Sequence, residues 1–152
     1  MTDFEPRDTD FEARVRESFA QQRVMETIGA RLSRVAPGEV EIELPFREDL
    51  TQQHGYLHAG VVTAAADTAC GYAAMTLTPP GGEVLSVEFK INLLAPAAGE
   101  SLAARARVVR AGRNITVCAA DAFIVREGRE KLVASMLATM MVKVVGTVEV
   151  PR

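Results

Sequence analysis

The chain has no tryptophan, two tyrosines, two histidines and two cysteines in 152 residues. Cys70 and Cys118 each sit in an apolar run. They provide no disulfide framework, so both thiols are expected to be buried and reduced, which suits a reducing compartment. A basic excess is also missing. The 17 Lys and Arg against 20 Asp and Glu leave a formal charge of −3, which argues against a general nucleic-acid binder. The most apolar run, residues 132–142, lies between Lys131 and Lys143 and is too short to span a bilayer, so no membrane partner is expected. The first residues mix charges of both signs and contain no apolar core of a secretory signal, so a cytoplasmic location is expected. His54 and His58 stand four apart, but Gly55 interrupts the pair and no cysteine or further histidine is near. No metal site and no cofactor are therefore expected. What remains is a soluble composition with room for a real core, one domain over residues 1–152 burying roughly 68–70% of its unfolded surface.

Periodicity then assigns the elements. Phe11, Val15 and Phe19 recur at helical spacing, which predicts one N-terminal helical segment over about 9–28, N-capped by Asp10 and ended by Gly29. Two short strands follow around Pro37-Gly38, with Val40, Ile42 and Leu44 alternating against Glu39, Glu41 and Glu43. A long run from about His58 to Thr78 is apolar almost all round and is expected to be a buried central helix, stopped by Pro79-Pro80-Gly81-Gly82. The period then switches to two: Leu85, Val87, Phe89, Ile91 and Leu93 alternate with Ser86, Glu88, Lys90 and Asn92. Three further strands are expected at roughly 100–110, 114–126 and 130–145, forming an antiparallel meander with turns at Ala111-Gly112-Arg113 and Glu127-Gly128. The class is α+β, with one sheet packed on one helix.

Within that central helix Asp67 is the only formally charged side chain between Gln52 and Met75, and three alanines precede it. An unpaired carboxylate in apolar surroundings is costly and is pushed toward its neutral form, which moves a weak base toward usefulness near neutral pH. The bland readings are a solvated helix residue, or the N-cap of a shorter helix starting at Thr68; the preceding alanines favour continuation through position 67.

Gly55-Tyr56-Leu57-His58-Ala59-Gly60, then Asp67 nine residues after His58, then the stretch from Ser86 to Pro96 together resemble the PaaI-like acyl-CoA thioesterases of the hotdog fold, the phenylacetic acid degradation type. The similarity covers nearly all of the chain after the first helix. The resemblance implies a long antiparallel sheet wrapped around the central helix. It also implies hydrolysis of an acyl- or aryl-acyl-CoA to the free acid and coenzyme A. Ala59 stands where the family usually has the first glycine after the histidine, and Gln52 where many members have asparagine.

The family's site residues map onto positions of this chain. Amides of Ala59 and Gly60 would open the helix and stabilise the oxyanion of a thioester carbonyl, and alanine keeps its N–H. Asp67 is the general base for water or the nucleophile; the resemblance does not separate these routes. Ser86 is expected to help hold the attacking water, the alternative being a strand serine on a wet face. His58 is expected to orient the helix-entry loop. Gln52 contacts the substrate carbonyl or the water, or is simply an exposed loop residue. Tyr56 is a candidate pocket residue. Between residues 90 and 113 five basic side chains, Lys90, Arg105, Arg107, Arg110 and Arg113, face one acidic one, Glu100. This suggests a footprint for coenzyme A phosphates, with Arg113 and Asn114 the family-like contacts and strand-edge protection the alternative.

Helix geometry adds a constraint. The nine residues from His58 to Asp67 span about 13.5 Å and two and a half turns, so the two point to opposite sides. A carbonyl must lie within about 3 Å of both donors and attacking group, so one chain cannot supply both. An obligate homodimer with shared sites is therefore expected, as the hotdog resemblance also implies, and the sequence does not fix whether dimers pair again into a tetramer. Two other functions compete: a non-catalytic acyl-CoA-binding or regulatory module, disfavoured by the presence of both Asp67 and Ser86, and a hotdog dehydratase, disfavoured because no proline-rich motif surrounds the histidines.

Overall fold

A computed structural model describes residues 4–144; residues 1–3 and 145–152, and with them the last residue expected in the final strand, lie outside the described part. Helices α1 (Phe11–Ala20) and α2 (Arg23–Ile28) precede the hairpin β1 (Arg31–Ala36) and β2 (Glu39–Pro45). The long helix α3 (Ala59–Met75) follows, then β3 (Gly82–Leu93), β4 (Ser101–Ala111), β5 (Ile115–Arg126) and β6 (Arg129–Val144). The strands form one sheet in the order β1-β2-β4-β5-β6-β3, antiparallel at every pairing. This is the hotdog arrangement, and the β4-β5-β6 meander is as expected.

The sheet closes on α3 because the facing residues are small. Ala65, Ala66, Ala69, Cys70 and Ala73 are buried on the helix, opposite Ala104, Ala106, Cys118, Ala120 and Ala122 of the strands. Short side chains let the two layers approach, and Val40, Ile42 and Leu44 fill the space under β2. Burial of each such aliphatic side chain contributes about 1.5–3 kcal/mol.

Three sequence expectations change here. First, the N-terminal segment is two helices. On one straight helix Ile28 would lie roughly 220° around the axis from Val15, facing solvent. The break at Gln21 and Gln22 re-aims the chain so that Val15, Met25 and Ile28 are all buried. Asp10 makes no side-chain cap; its amide donates to the Asp8 carboxylate instead. That carboxylate also holds Arg14, whose guanidinium donates to the Thr78 hydroxyl and carbonyl and to the Gly82 carbonyl, fastening α1 to the far end of α3.

Second, the strict alternation expected for β3 fails at Val87. The pairing with β6 shifts register between Ser86 and Glu88, a β-bulge that leaves Val87 without a partner. Ser86 therefore pairs with Met140, while Phe89, Ile91 and Leu93 pair with Ala138, Met136 and Ala134. These β6 residues are all buried, and directly opposed residues share a face. The bulge thus turns Ser86 inward with the apolar set and sends Leu85 outward with Glu88 and Lys90.

Third, α3 is not buried all round. Gly60, Ala64, Asp67, Thr68 and Gly71 recur at helical spacing along one stripe that the chain's own sheet leaves partly or fully open. Strand β3 beside it is a sheet edge with large apolar side chains exposed, among them Val87, Phe89 and Leu93.

Candidate active site

The inward turn of Ser86 produces the first half of the site. Its hydroxyl donates to Asp67 Oδ1 at 2.8 Å, so the carboxylate expected to be unpaired has a partner and is half-buried at a cavity wall. One carboxylate oxygen is fixed by the serine, and the other is left for water or a carbonyl carbon. The bulge, a backbone irregularity, is what makes the pair, and Ser86 stays solvent-exposed while it holds the carboxylate. The cavity beside them has a volume of about 510 Å³ and is walled by α3, β3 and the junction of α1 with α2.

The second half lies at the start of α3. His58 has φ −59° and ψ 137° and acts as the helix N-cap, its Nδ1 accepting the Gly60 N–H at 2.9 Å. The N–H groups of Val61 and Val62 donate to the His58 carbonyl. Of the two amides expected to serve an oxyanion, Gly60 is therefore already engaged by the imidazole, a correction that leaves Ala59 alone. The Ala59 N–H has no acceptor among the described residues. His58 orients the helix entry by hydrogen bonding, as expected, and its ring accepts at Nδ1.

Gln52 acts on the same loop. Its Oε1 accepts the His54 N–H at 2.6 Å and the Tyr56 N–H at 3.4 Å. Gly55, at φ 80°, supplies the left-handed backbone this tight turn needs. With Oε1 occupied, the side-chain Nε2 of Gln52 has no partner among the described residues and remains a donor at the cavity that Ala59 also lines. Gln52, Tyr56, His58 and Ala59 line a cavity of about 440 Å³ completed by apolar residues such as Val62, Leu93 and Leu94.

The two cavities share no lining residue. Within one chain Asp67 and the residues of the helix entry thus face different spaces, as the spacing along α3 requires. Both cysteines are excluded as nucleophiles. Burial pushes the Cys118 thiol up to about 12, and burial, reinforced by Cys118 and the Asp67 carboxylate, pushes Cys70 higher still.

The basic cluster does not survive intact. Arg105 is neutralised by Glu41 and by a bidentate pair with Glu130 at 2.6 and 2.7 Å, and it lies over the Phe123 ring. Lys90 projects from the outer face of the edge strand, whereas Arg113 lies in the β4–β5 turn next to Asn114, whose carbonyl is at the level of Val142 and Val84, six residues along β3 from Lys90, or about 20 Å at strand rise. Arg113 is exposed and has no ion pair among the described residues. The exposed Asn114 holds the β6 end through its carbonyl, which accepts from the Val142 N–H. Ser18, Gln22 and Gly71, which line the Asp67 cavity, escaped the sequence reading; only Gly71, a mid-helix glycine, carries a visible signal.

Among the described residues no helix is long and apolar enough to cross a membrane. The model of the thioesterase superfamily matches residues 54–131. A thioesterase family protein from Silicibacter pomeroyi superposes with a TM-score of 0.87 at 50% identity, covering 88% of this chain and 98% of that one. The 1,4-dihydroxy-2-naphthoyl-CoA hydrolase of Listeria monocytogenes is 28% identical over 120 residues, 79% of this chain and 95% of that one. The E. coli PaaI protein from the phenylacetic acid degradation operon shares the fold, with a TM-score of 0.78 at 20% identity over 87% and 92% of the two chains. The half of the chain spanned by the family match contains the helix entry, Asp67 and Ser86, so that the chain belongs to the thioesterase superfamily, a thioester hydrolase on a PaaI-like hotdog fold.

Proposed function

We propose that the protein is an acyl-CoA thioesterase acting on acyl- or aryl-acyl-CoA, and that its working unit is a homodimer with two shared sites. The observation that carries this reading is the pairing of Asp67 with Ser86 at one cavity while Ala59 and Gln52 donate into another. A twofold axis that lays the open stripe of α3 against the helix entry of a second copy brings the halves together. The exposed edge of β3, with Val87, Phe89 and Leu93 on it, supplies apolar surface for that contact.

In this site the Ala59 N–H and the Gln52 amide of one subunit bind the thioester carbonyl oxygen. Asp67 of the other subunit takes a proton from water, and the hydroxide oxygen bonds to the carbonyl carbon. The tetrahedral oxyanion is held by the two donors. Its collapse re-forms the carbonyl and breaks the carbon–sulfur bond, and the departing coenzyme A thiolate takes the proton from Asp67. Direct attack by Asp67 through an anhydride uses the same positions. Ser86 holds the carboxylate in its rotamer for either route. Arg113 and Asn114, with Lys90 at a distance, are the proposed phosphate contacts, and Tyr56 borders the acyl or pantetheine channel.

The test is thiol release from a panel of acyl-CoAs differing in length and aromaticity, with Asp67→Asn as the control. The variant is nearly isosteric, so it folds, and it loses on the order of 10²–10⁴ in rate. Near-normal turnover by folded Asp67→Asn overturns the assignment of Asp67, and no thiol release from any member of the panel overturns the acyl-CoA reading.

A further inference from the structure

Ser86 holds the Asp67 carboxylate, yet little of the fold holds Ser86. It is solvent-exposed on an edge strand, next to a bulge, surroundings that by themselves leave a serine side chain free to turn among its staggered rotamers. Among the described residues two side-chain atoms lie within hydrogen-bonding reach of its Oγ: Asp67 Oδ1 at 2.8 Å and Met140 Sδ at 3.5 Å. Met140 is directly opposite Ser86 in the pairing of β3 with β6 and is fully buried. Its sulfur is therefore a fixed point against which the hydroxyl rests.

A serine hydroxyl has one hydrogen to donate, and a thioether sulfur can only accept, weakly. While Asp67 is ionised, the carboxylate takes that hydrogen as the stronger acceptor, and the sulfur supports Oγ by contact. Once Asp67 has taken a proton from water its oxygens accept less strongly, and the sulfur becomes the alternative acceptor for the same hydrogen. Ser86 thus keeps a partner at both stages without moving its oxygen, and the hydrogen turns back to the carboxylate when the departing thiolate removes the proton from Asp67. Ser86 loses no proton, and none passes through Met140. A leucine would fill nearly the same volume and offer no acceptor.

We infer that Met140 is a positioning residue for thioester hydrolysis, its sulfur holding the Ser86 hydroxyl that in turn holds Asp67. This role rests on the thioesterase reading above. Met140 touches no substrate, so its effect belongs in turnover and not in binding. Met136 supplies the comparison within the same strand: it is buried on the same face, and it pairs with Ile91, which offers its sulfur no donor from the side chain.

The experiment is a double-mutant cycle on the best substrate of the acyl-CoA panel, with Met140→Leu, Ser86→Ala and the two combined, and Met136→Leu alongside. Met140→Leu is expected to lower kcat by about three- to tenfold, the size of one net hydrogen bond, with KM within about twofold of wild type. In the Ser86→Ala background the same substitution should change kcat by less than about twofold, because the sulfur has nothing left to hold. Met136→Leu should leave kcat unchanged in both backgrounds. A merely structural role would lower kcat equally with and without Ser86. A second readout is independent of hydrolysis: in protein labelled with 13C at the methionine methyl groups, the Met140 resonance should shift on Asp67→Asn when Ser86 is present and stay in place when position 86 is alanine, while Met136 is unmoved by either. If Met140→Leu does not fold, the Met140 signal is assigned by elimination through the other methionines and this measurement decides alone. If the wild type cleaves no thioester, the thioesterase reading fails, and the methyl response still decides whether Met140 is coupled to Asp67 through Ser86. An unchanged kcat in Met140→Leu, equal losses in the two backgrounds, or a Met140 methyl that ignores Asp67→Asn overturns the inference.

Discussion

Proline at position 59 removes one hydrogen-bond donor and little else. Ala59 is the first residue of α3, the position where proline is best tolerated because its fixed φ suits the helix and the lost N–H has no intrahelical acceptor. The residue before a proline must be extended, and His58 already is, at φ −59° and ψ 137°. The Ala59 N–H has no acceptor among the described residues, so its deletion breaks no bond of the fold. Stability of Ala59→Pro should stay within about 1 kcal/mol of wild type in thermal unfolding. Loss of an oxyanion donor should lower kcat by about 10²–10³, or about 2.7–4 kcal/mol in the transition state. The same variant tests shared sites. Ala59→Pro and Asp67→Asn homodimers are each defective at both sites, but a mixed dimer has one site with both defects and one with neither. Random re-pairing of equal amounts makes half the dimers mixed, so about a quarter of wild-type activity should return. Subunit exchange is followed by mass and activity by thiol release. Folded Ala59→Pro with normal kcat refutes the donor assignment. Confirmed exchange without recovered activity, or an active monomer, refutes the composite site; Gln52→Ala replaces the proline variant in the mixture if that chain does not fold.

Two further outcomes follow from the charges. Arg113→Ala should raise KM for acyl-CoA more than it lowers kcat, and KM should rise with added salt in the wild type, because phosphate contacts bind ground and transition states alike; a salt-independent KM removes Arg113 from the coenzyme site. Arg105→Leu strands Glu41 and Glu130 and should cost about 1–2 kcal/mol by denaturant unfolding at neutral pH, two partly exposed pairs contributing modestly and the Phe123 contact adding to them. Arg105 holds the Glu130 carboxyl below its ordinary range, chiefly by hydrogen bonding. A depressed folded-state pKa gives stability that is complete above the unfolded glutamate value, about 4.3, and is lost as the pH falls through the lower folded value. The gap between wild type and Arg105→Leu should therefore narrow below about pH 4, and a gap constant with pH refutes the ion-pair account.

Local rules set by the sequence decided most of the architecture. The alternation of Val40, Ile42 and Leu44 made a hairpin with one buried face, and the proline-free alanine run made α3, because periodicity and helix propensity act over a few residues and need no distant partner. The nine-residue spacing from His58 to Asp67 placed the helix entry and the carboxylate on opposite sides of that helix by geometry alone. Tertiary packing decided the rest. A bulge at Val87 depends on the register of β6, and no alternation read along β3 reveals it, so Ser86 could not be turned toward Asp67 from sequence. The break at Gln21 and Gln22 has no glycine or proline to mark it; it exists because Val15, Met25 and Ile28 bury on different sides of a straight helix and only the body of the fold can cover all three. Arg105 counted as a free cation until Glu41 and Glu130 arrived from strands far along the chain. Gly60 counted as an oxyanion donor until the His58 ring folded back on its amide. In each case the sequence specified the group, while what it binds was set by partners that only the folded chain brings within hydrogen-bonding distance.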